Sequence, residues 1–168
     1  MIPLLIVDGY NVIGHWERAN KEKWPMDTAR ERLRHLLSEY AAFEGLEVIL
    51  VFDGIRSERL TRSTEREGSL EVVFTRHGET ADEYIEKLAD QTPRHRELIV
   101  ATSDNVEQTV VLGRGATRVP ARELLTRITQ SRRQQDKRIG ETRVKAFPIF
   151  ERLPQDVRDS LEKMRRGK

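Results

Sequence analysis

The stretch LLIVDGYN, residues 4–11, predicts a buried strand that ends in a carboxylate. Its first four residues form an unbroken apolar run, which is the pattern of a strand covered on both faces. Asp8 follows this run directly, and a helix-like segment comes next. The stretches VILVFDG (48–54) and LIVATSDN (98–105) have the same form. In an open parallel sheet such strand ends gather along one edge, where ligands bind.

Four carboxylates define this predicted edge. Asp8, Asp53 and Asp104 each follow one of the apolar runs, and Asp82 opens a helical segment in ETADE (79–83). Carboxylates that converge without basic partners repel one another, and a divalent cation removes that cost. The pattern therefore favours a metal-dependent active site that is built from these four acids.

Three of the acids also have a structural alternative. Asp8 and Asn11 are residue types that commonly make a turn or a helix cap. Asp53 precedes a glycine, which is an ordinary turn signal. Asp104 fits a helix N-cap that is followed by an acid three residues later. Two Asp-Gly strand ends in one chain nevertheless favour the functional interpretation.

The fourth acid, Asp82, follows a predicted capping box. Thr80 and Glu83 have the spacing at which the two side chains satisfy the first backbone N–H groups of a helix. Asp82 is then left in the first turn, where the helix dipole favours a negative charge. Glu83 is therefore predicted to be structural, and Asp82 to be functional.

Strands and helices alternate along the whole chain. The predicted strands are 3–7, 47–52, 70–75, 97–101 and 116–119, and the predicted helices are 27–44, 81–91, 105–112, one that starts at Pro120, and 154–164. The stretch 54–69 is polar, lacks a hydrophobic period and is predicted to be a loop beside the site. This alternation predicts a single α/β domain over 1–168 with a mostly parallel sheet. A basic helical region occupies about 120–168.

Composition excludes several classes of protein. The chain has 168 residues, of which 37% are hydrophobic and 35% charged, as in a globular protein with a charged surface. It contains no cysteine, which excludes disulfides and thiolate metal sites. The first apolar run is too short for a signal peptide, and no stretch approaches the roughly 20 apolar residues of a membrane span. We expect a cytoplasmic protein with no membrane partner.

Charge is unevenly distributed, although the net charge is only +2. Residues 118–145 contain nine Lys or Arg against three acids, whereas residues 79–90 contain five acids against one Lys. Residues 118–145 can contact phosphate backbones, and residues 79–90 can hold cations. The alternative is a pair of solvated helix faces with ordinary salt bridges.

Four motifs carry a resemblance to a known family. In this order, VDGYN (7–11), VFDG (51–54), ETADE (79–83) and ATSD (101–104) resemble the NYN branch of the PIN-like nucleases, and more narrowly the bacterial YacP group. The likeness continues through RELL (122–125) and the basic helix to RRG at 165–167. It therefore covers nearly the whole chain. Members of that group include a ribosome-associated endoribonuclease that cuts mRNA in the ribosomal A site.

The resemblance implies a three-layer PIN-like fold with an acidic pocket. It assigns Asp8, Asp53, Asp82 and Asp104 to that pocket as catalytic residues and ligands of Mg²⁺ or Mn²⁺. Asp8 and Asp82 match the most critical positions. The expected activity is a metal-dependent endoribonuclease acting on mRNA, with the ribosome as a partner and no DNA substrate.

RNA contacts are expected outside the acids as well. Asn11 matches the family's asparagine after the first strand, and Ser103 can orient a phosphate or a metal-bound water. The cations expected to neutralise RNA phosphates are Arg127, Arg132, Arg133, Lys137, Arg138, Arg143 and Lys145. The aromatic rings of Tyr10, Trp16 and Trp24 can stack on unpaired bases, or the two tryptophans can pack against the first long helix.

The alternatives to a nuclease fall into two classes, and the first is an enzyme with phosphatase or phosphoacceptor chemistry. A dehalogenase-like site needs a second Asp two residues after the first, but position 10 is Tyr10, and a receiver-like site needs a Lys where the chain has Val119 and Pro120. Both fit poorly. A non-catalytic ribosome- or RNA-binding module is the other alternative. It would explain the basic helix but not the four acids.

Overall fold

The chain alternates between strands and helices, as the sequence predicts. A computed structural model describes residues 1–54, 61–103, 113–151 and 154–165, the side chains of 143–151 and 158 excepted. The strands are β1 (Leu4–Asp8), β2 (Glu47–Phe52), β3 (Ser63–Glu67), β4 (Leu70–Phe74), β5 (Leu98–Ala101) and β6 (Thr117–Val119). The helices are α1 (Gly9–Gly14), α2 (Glu17–Lys21), α3 (Met26–Glu44), α4 (Ala81–Gln91), α5 (Ala121–Glu151) and α6 (Gln155–Arg165).

Across the described residues these strands form a six-stranded sheet in the order β3-β4-β2-β1-β5-β6. All neighbours run parallel except β3, which pairs antiparallel with β4. The chain leaves β1 toward β2 and β4, and later returns to the other side of β1 to form β5. The strand order therefore reverses between β1 and β5, where an open α/β sheet offers a crevice at its carboxyl edge.

Two hydrophobic layers cover the two faces of the sheet, because alternate residues of each strand point to opposite sides. Leu5 and Val7 of β1 belong to one cluster, which also includes buried residues of α1, α3 and the start of α5. Leu4 and Ile6 belong to the other cluster, which packs against α4. All five residues of β1 are buried. The predicted three-layer α/β fold with a mostly parallel sheet is confirmed.

The stretch 54–69 is the main correction to the sequence analysis. Residues 63–67 are a strand and not a loop, although their side chains are mostly exposed. Glu65 and Glu67 lie two residues apart and therefore on one face of β3, where both form ion pairs with Arg34 of α3. A charged strand at the edge of a sheet has no hydrophobic period to reveal it, and such charges protect an edge from further pairing.

Two short helices precede α3. The helix-like segment predicted after Asp8 is α1, whereas α2 was not predicted. Gly45 ends α3 in the left-handed conformation, with φ of 69°, which confirms the predicted stop. The helix predicted over 105–112 lies outside the described residues, as do residues 55–60 of the polar stretch.

The chain separates into two compact units, Met1–Ser131 and Arg132–Lys168. The first contains the whole sheet, α1 to α4 and the start of α5. The second contains the rest of α5 and α6, and several of its apolar side chains are exposed, including Ile139 at 53% and Met164 at 74%. None of the described helices is long and apolar enough to cross a membrane. The single domain over 1–168 stays a prediction.

Candidate active site

Asp8 lies at the centre of the carboxyl edge of the sheet. It is the last residue of β1, pairs in register with Val51 of β2, and is only 8% exposed. Asp8 occupies the N-cap position of α1, yet its carboxylate accepts no hydrogen bond from the N–H groups of this fully described helix. The capping alternative therefore does not explain an acid at this position.

Gly9 allows a close contact beside Asp8. A Cβ atom at this position would lie 2.4 Å from a ring carbon of Phe52, well inside the van der Waals limit. The ring of Phe52 is almost completely buried and comes immediately before Asp53 in the chain. The absence of a side chain at Gly9 thus lets the ends of β1 and β2 pack closely together.

Asp53 is half-buried and connects β2 to α4. Its Oδ2 atom accepts a long hydrogen bond, 3.5 Å, from the backbone N–H of Ala81 in the first turn of α4. The backbone of Gly54 is fixed by an N–H bond of 2.7 Å to Thr75 Oγ1, and that hydroxyl donates at 2.7 Å to the carbonyl of Glu79. The end of β2 is therefore tied to the segment that begins α4.

Asp82 lies in this same first turn of α4. Thr80 is the N-cap residue, and its hydroxyl accepts a hydrogen bond of 3.1 Å from the N–H of Glu83, which confirms the Thr80 half of the predicted capping box. The part predicted for the Glu83 side chain stays a prediction. Asp82 is half-buried, whereas Glu83 is exposed. The contact between Asp53 and Ala81 brings the backbone of α4 next to the carboxyl edge, so Asp53 and Asp82 share one region of the site.

Asn11 and Ser103 connect β1 to β5 across the point where the strand order reverses. Asn11 Oδ1 accepts a 2.8 Å hydrogen bond from the N–H of Ser103, and Ser103 Oγ accepts one of 3.2 Å from the N–H of Ala121 at the start of α5. Both side chains thus position the chain just before Asp104. Asp104 itself lies outside the described residues.

A buried ion pair next to the site was not predicted. Glu79 is 3% exposed, and its carboxylate accepts two hydrogen bonds from Arg62, at 2.7 and 2.6 Å, and one from Lys87 at 3.3 Å. The Arg62 guanidinium, more than any other group, lowers the pKa of Glu79 to about 2. Arg62 also lies over the ring of Tyr84, 4.6 Å from its centroid. Arg62 and Glu79 are 17 residues apart, so no local pattern could have revealed the pair.

The expected metal ligands suit a hard divalent cation in their chemistry, because such ions prefer carboxylate oxygens. Among the described residues, no group of three or more His, Asp or Glu side chains is close enough to hold an ion directly. Asp8 and Asp53 nevertheless lie at one edge of the sheet, and Asp82 lies in the first turn of the neighbouring helix α4. Mg²⁺ commonly keeps several waters and is bound through only one or two carboxylates. The donor set therefore fits a Mg²⁺ or Mn²⁺ ion held partly through water.

The cations predicted to contact RNA differ in their surroundings. Arg127 is in the first unit, where it donates a 2.7 Å hydrogen bond to Glu123 one helical turn earlier. The other cations whose side chains are described are exposed in the second unit: Arg132, Arg133, Lys137 and Arg138. Arg143 and Lys145 have no described side chain. Exposed cations along a helix present charge to solvent, which is what a phosphate backbone requires.

The tryptophans are packed and not freely presented. Trp16 and Trp24 meet edge to face with ring centroids 5.0 Å apart, and both contact the core cluster that includes α3. The guanidinium of Arg32 lies 4.1 Å from the centroid of Trp24. The packing alternative from the sequence analysis is therefore confirmed for these two side chains.

Comparisons with known proteins agree with this architecture. A family model for the YacP-like NYN domain matches residues 5–166. The protein YacP of Bacillus subtilis is 37% identical over 169 residues, which cover 98% of this chain and 97% of the relative. The crystal structure of Rae1 (YacP) from the same organism superimposes with a TM-score of 0.69 at 35% identity, covering 99% of this chain and 96% of that one. A structure of a mutant of Rae1 (YacP) gives a TM-score of 0.73 at 33% identity, over 97% and 99% of the two chains. Sequence and structure thus agree over nearly the full length, and the chain belongs to the YacP-like NYN family.

Proposed function

We propose that this protein is a metal-dependent endoribonuclease that cuts mRNA, and that it does so at the A site of the translating ribosome. NYN domains are generally nucleases, and they typically use divalent metal ions. The resemblance to the YacP group is what supports the ribosome as a partner and the A site as the place of cleavage. Such a substrate would place the enzyme in the cytoplasm.

The observation that carries the proposal is that Asp8 and Asp53 follow neighbouring strands at the carboxyl edge and that α4 begins beside them. Asp8 ends the central strand β1, Asp53 follows its neighbour β2, and the Asp53 carboxylate contacts the first turn of α4, which contains Asp82. In the sequence, Asp104 directly follows Ser103, the last described residue after β5. A carboxylate set at the switch point of an open sheet is a suitable place to hold a cation and a phosphate.

The roles of the residues follow from their positions. Asp8, Asp53, Asp82 and Asp104 would hold one or two Mg²⁺ or Mn²⁺ ions. A bound ion of this kind supplies a hydroxide nucleophile and stabilises the charge that develops on the phosphate. Asn11 accepts the hydrogen bond from the N–H of Ser103, which ties the chain after β1 to the chain after β5. The exposed cations of α5 would hold the RNA backbone.

The test is cleavage of a defined mRNA during translation with purified ribosomes. New 5′ ends are mapped for the wild type, Asp8→Asn and Asp82→Asn, with the same mRNA free of ribosomes in parallel. Asp90→Asn is the matched control, because Asp90 is an exposed acid on the same helix as Asp82. We expect cuts by the wild type and by Asp90→Asn, and none by the other two variants.

Two results would contradict the proposal. A wild type that binds ribosomes but cuts no RNA would favour the non-catalytic binding module. Cuts that persist in both Asp8→Asn and Asp82→Asn would mean that the active site lies elsewhere in the chain. With ribosome-free RNA, EDTA should abolish any cutting, since the acids alone provide no nucleophile.

A further inference from the structure

A row of aromatic rings lies beside the two acids that follow β1 and β2. Tyr10, two residues after Asp8, packs against Phe52 with ring centroids 5.0 Å apart, and Phe52 directly precedes Asp53. Phe52 in turn stacks on Phe74 at 5.3 Å. Phe52 is buried, whereas Tyr10 is partly exposed at the end of the row. Tyr10 is thus fixed next to the candidate active site and still reaches solvent.

Arg30 of α3 is bound to this exposed end. Its Nη1 atom donates a hydrogen bond of 3.3 Å to the hydroxyl of Tyr10. Arg30 is half-buried, and within the described part of the chain it forms no ion pair with a carboxylate. A guanidinium has five N–H donors. The tyrosine hydroxyl uses one of them, so most of the planar donor edge stays available.

Other arginines of α3 are engaged differently. Arg34, one helical turn further on, forms ion pairs with both Glu65 and Glu67 of β3. Arg32 lies over the face of Trp24. Among these three, only Arg30 is bound to Tyr10, the residue two positions after Asp8, and has no ion pair among the described residues. Arginine binds phosphate through two parallel N–H bonds, and a partly exposed guanidinium held in place by one neighbour is suited to that contact.

We infer that Arg30 is a phosphate-binding residue of the active site, oriented by the Tyr10 hydroxyl, and that it binds a phosphodiester of the RNA strand next to the bond that is cut. The inference rests on the proposed nuclease function and adds a substrate subsite to it. Arg30 binds the strand, and Tyr10 is a positioning residue that acts through Arg30. The subsite takes part in binding and not in bond cleavage.

The experiment compares Arg30→Ala, Arg30→Lys and Tyr10→Phe with Arg34→Ala, the matched control on the same helix. Cleavage during translation is measured against protein concentration, and binding of labelled single-stranded RNA is measured against salt in an Asp82→Asn background.

Arg30→Ala should raise the half-saturating protein concentration for cleavage about tenfold, the effect of one charge-assisted contact, with little change in the maximal rate. The slope of log affinity against log salt concentration (the salt slope) should become shallower by about 0.7, as for one lost phosphate contact on a single strand. Arg30→Lys should recover the slope, and Tyr10→Phe should raise the half-saturating concentration about threefold. Arg34→Ala should match the parent protein.

The outcomes separate this subsite from the proposed function. Cutting by the wild type together with equal values for Arg30→Ala and Arg34→Ala would overturn the subsite and leave the nuclease standing. Absence of cutting by the wild type, with RNA binding lost only in Arg30→Ala, would support the subsite and overturn the nuclease. A lower melting temperature in Arg30→Ala and Arg30→Lys with an unchanged salt slope would show a structural role and overturn the inference. A wild type that neither cuts nor binds RNA would overturn both.

Discussion

The carboxyl edge of the sheet and the part of α5 beyond Ser131 carry opposite charges and are built differently. At the edge, backbone groups fix the described side chains: the N–H of Ala81 contacts Asp53, and the N–H of Ser103 contacts Asn11. Beyond Ser131 the described cations lie exposed along a helix. The edge is a site of defined geometry. The part of α5 beyond Ser131, called the basic segment below, is a positively charged surface.

This difference predicts two kinds of response to mutation. A metal and a scissile phosphate require ligands at fixed positions, so a change at the edge should remove activity in one step. Contacts between exposed cations and a phosphate backbone are nearly independent and are screened by salt. Changes in the basic segment should therefore be small, additive and dependent on ionic strength.

The largest effect is expected for Asp53→Asn. Asparagine keeps an oxygen that can accept the hydrogen bond from Ala81, so the fold should be preserved while the negative charge is lost. The proposed role of Asp53 as a metal ligand is worth several kcal/mol of transition-state stabilisation, so the cleavage rate should fall by about 100-fold or more. The rate is measured at one Mg²⁺ concentration, with Glu83→Gln, an exposed acid in the first turn of α4, as control. Equal rates for the two variants would show that the negative charge at Asp53 is not needed for cleavage.

Gly54→Ala tests how closely the edge is packed. A Cβ atom on Gly54 would lie 1.7 Å from the carbonyl oxygen of Thr75, so the ends of β2 and β4 would have to separate. We expect a loss of about 3 kcal/mol in the free energy of unfolding, measured by urea denaturation. Gly14→Ala is the control, because a Cβ there meets no atom within 4 Å, and it should cause no loss. Equal stabilities would mean that the edge deforms easily.

Glu79→Gln should weaken the support beneath the edge. Glu79 has a folded pKa of about 2 against an ordinary value of 4.5, first because of its hydrogen bonds from Arg62. Because this pKa is depressed, the stabilisation is complete above about pH 4.5 and is lost as the pH falls toward 2. The substitution should cost about 2 kcal/mol at neutral pH, and the difference from wild type should shrink in that acidic window.

Urea denaturation at several pH values between 2.5 and 7 would measure this difference. Glu83→Gln serves again as a control, since Glu83 is exposed and its side chain is not part of the ion pair. Stability curves for wild type and Glu79→Gln that run parallel across the whole range would contradict the assignment. The Arg62 contact would then be too weak to support the start of α4.

The fold and much of the edge could be predicted because the signals are local. The apolar run of β1 fixes a strand that is buried on both faces, and Asp8 follows it directly. The spacing of Thr80 and Glu83 gives the start of α4 and separates the capping residue from Asp82. Parallel strands then bring the residues that follow them to one edge. These inferences need only neighbours in sequence.

The features that were missed depend on distant pairs. The polar strand β3 has no hydrophobic period, and its ion pairs with Arg34 come from another element. The Arg62–Glu79 pair and the hydrogen bond from Arg30 to Tyr10 join residues 17 and 20 positions apart. Sequence patterns identify such residues only as charged or aromatic. Their partners can be identified only from the three-dimensional arrangement of the sheet and α3.

The smallest effects are expected in the basic segment. Arg133 and Lys137 are exposed cations of the second unit. Arg133→Gln and Lys137→Gln should each raise the half-saturating protein concentration for cleavage about two- to threefold, and each should lower the salt slope of RNA binding by about 0.7. The double variant should lower the salt slope by about 1.4, since each lost phosphate contact counts once. The two residues are one helical turn apart, so any departure of the concentrations from the product of the single effects measures their coupling.

Arg133→Lys tests whether the basic segment acts through charge alone, because it keeps the charge and changes only the shape of the donor group. On a surface that acts through charge, lysine should replace arginine without loss, and Gln134→Ala, an exposed neutral neighbour, should have no effect. Half-saturating concentrations measured at two ionic strengths would decide this. A loss in Arg133→Lys as large as in Arg133→Gln would mean that this guanidinium makes a defined bidentate contact. The basic segment would then resemble the sheet edge in requiring precise geometry, and the distinction between the two regions would fail there.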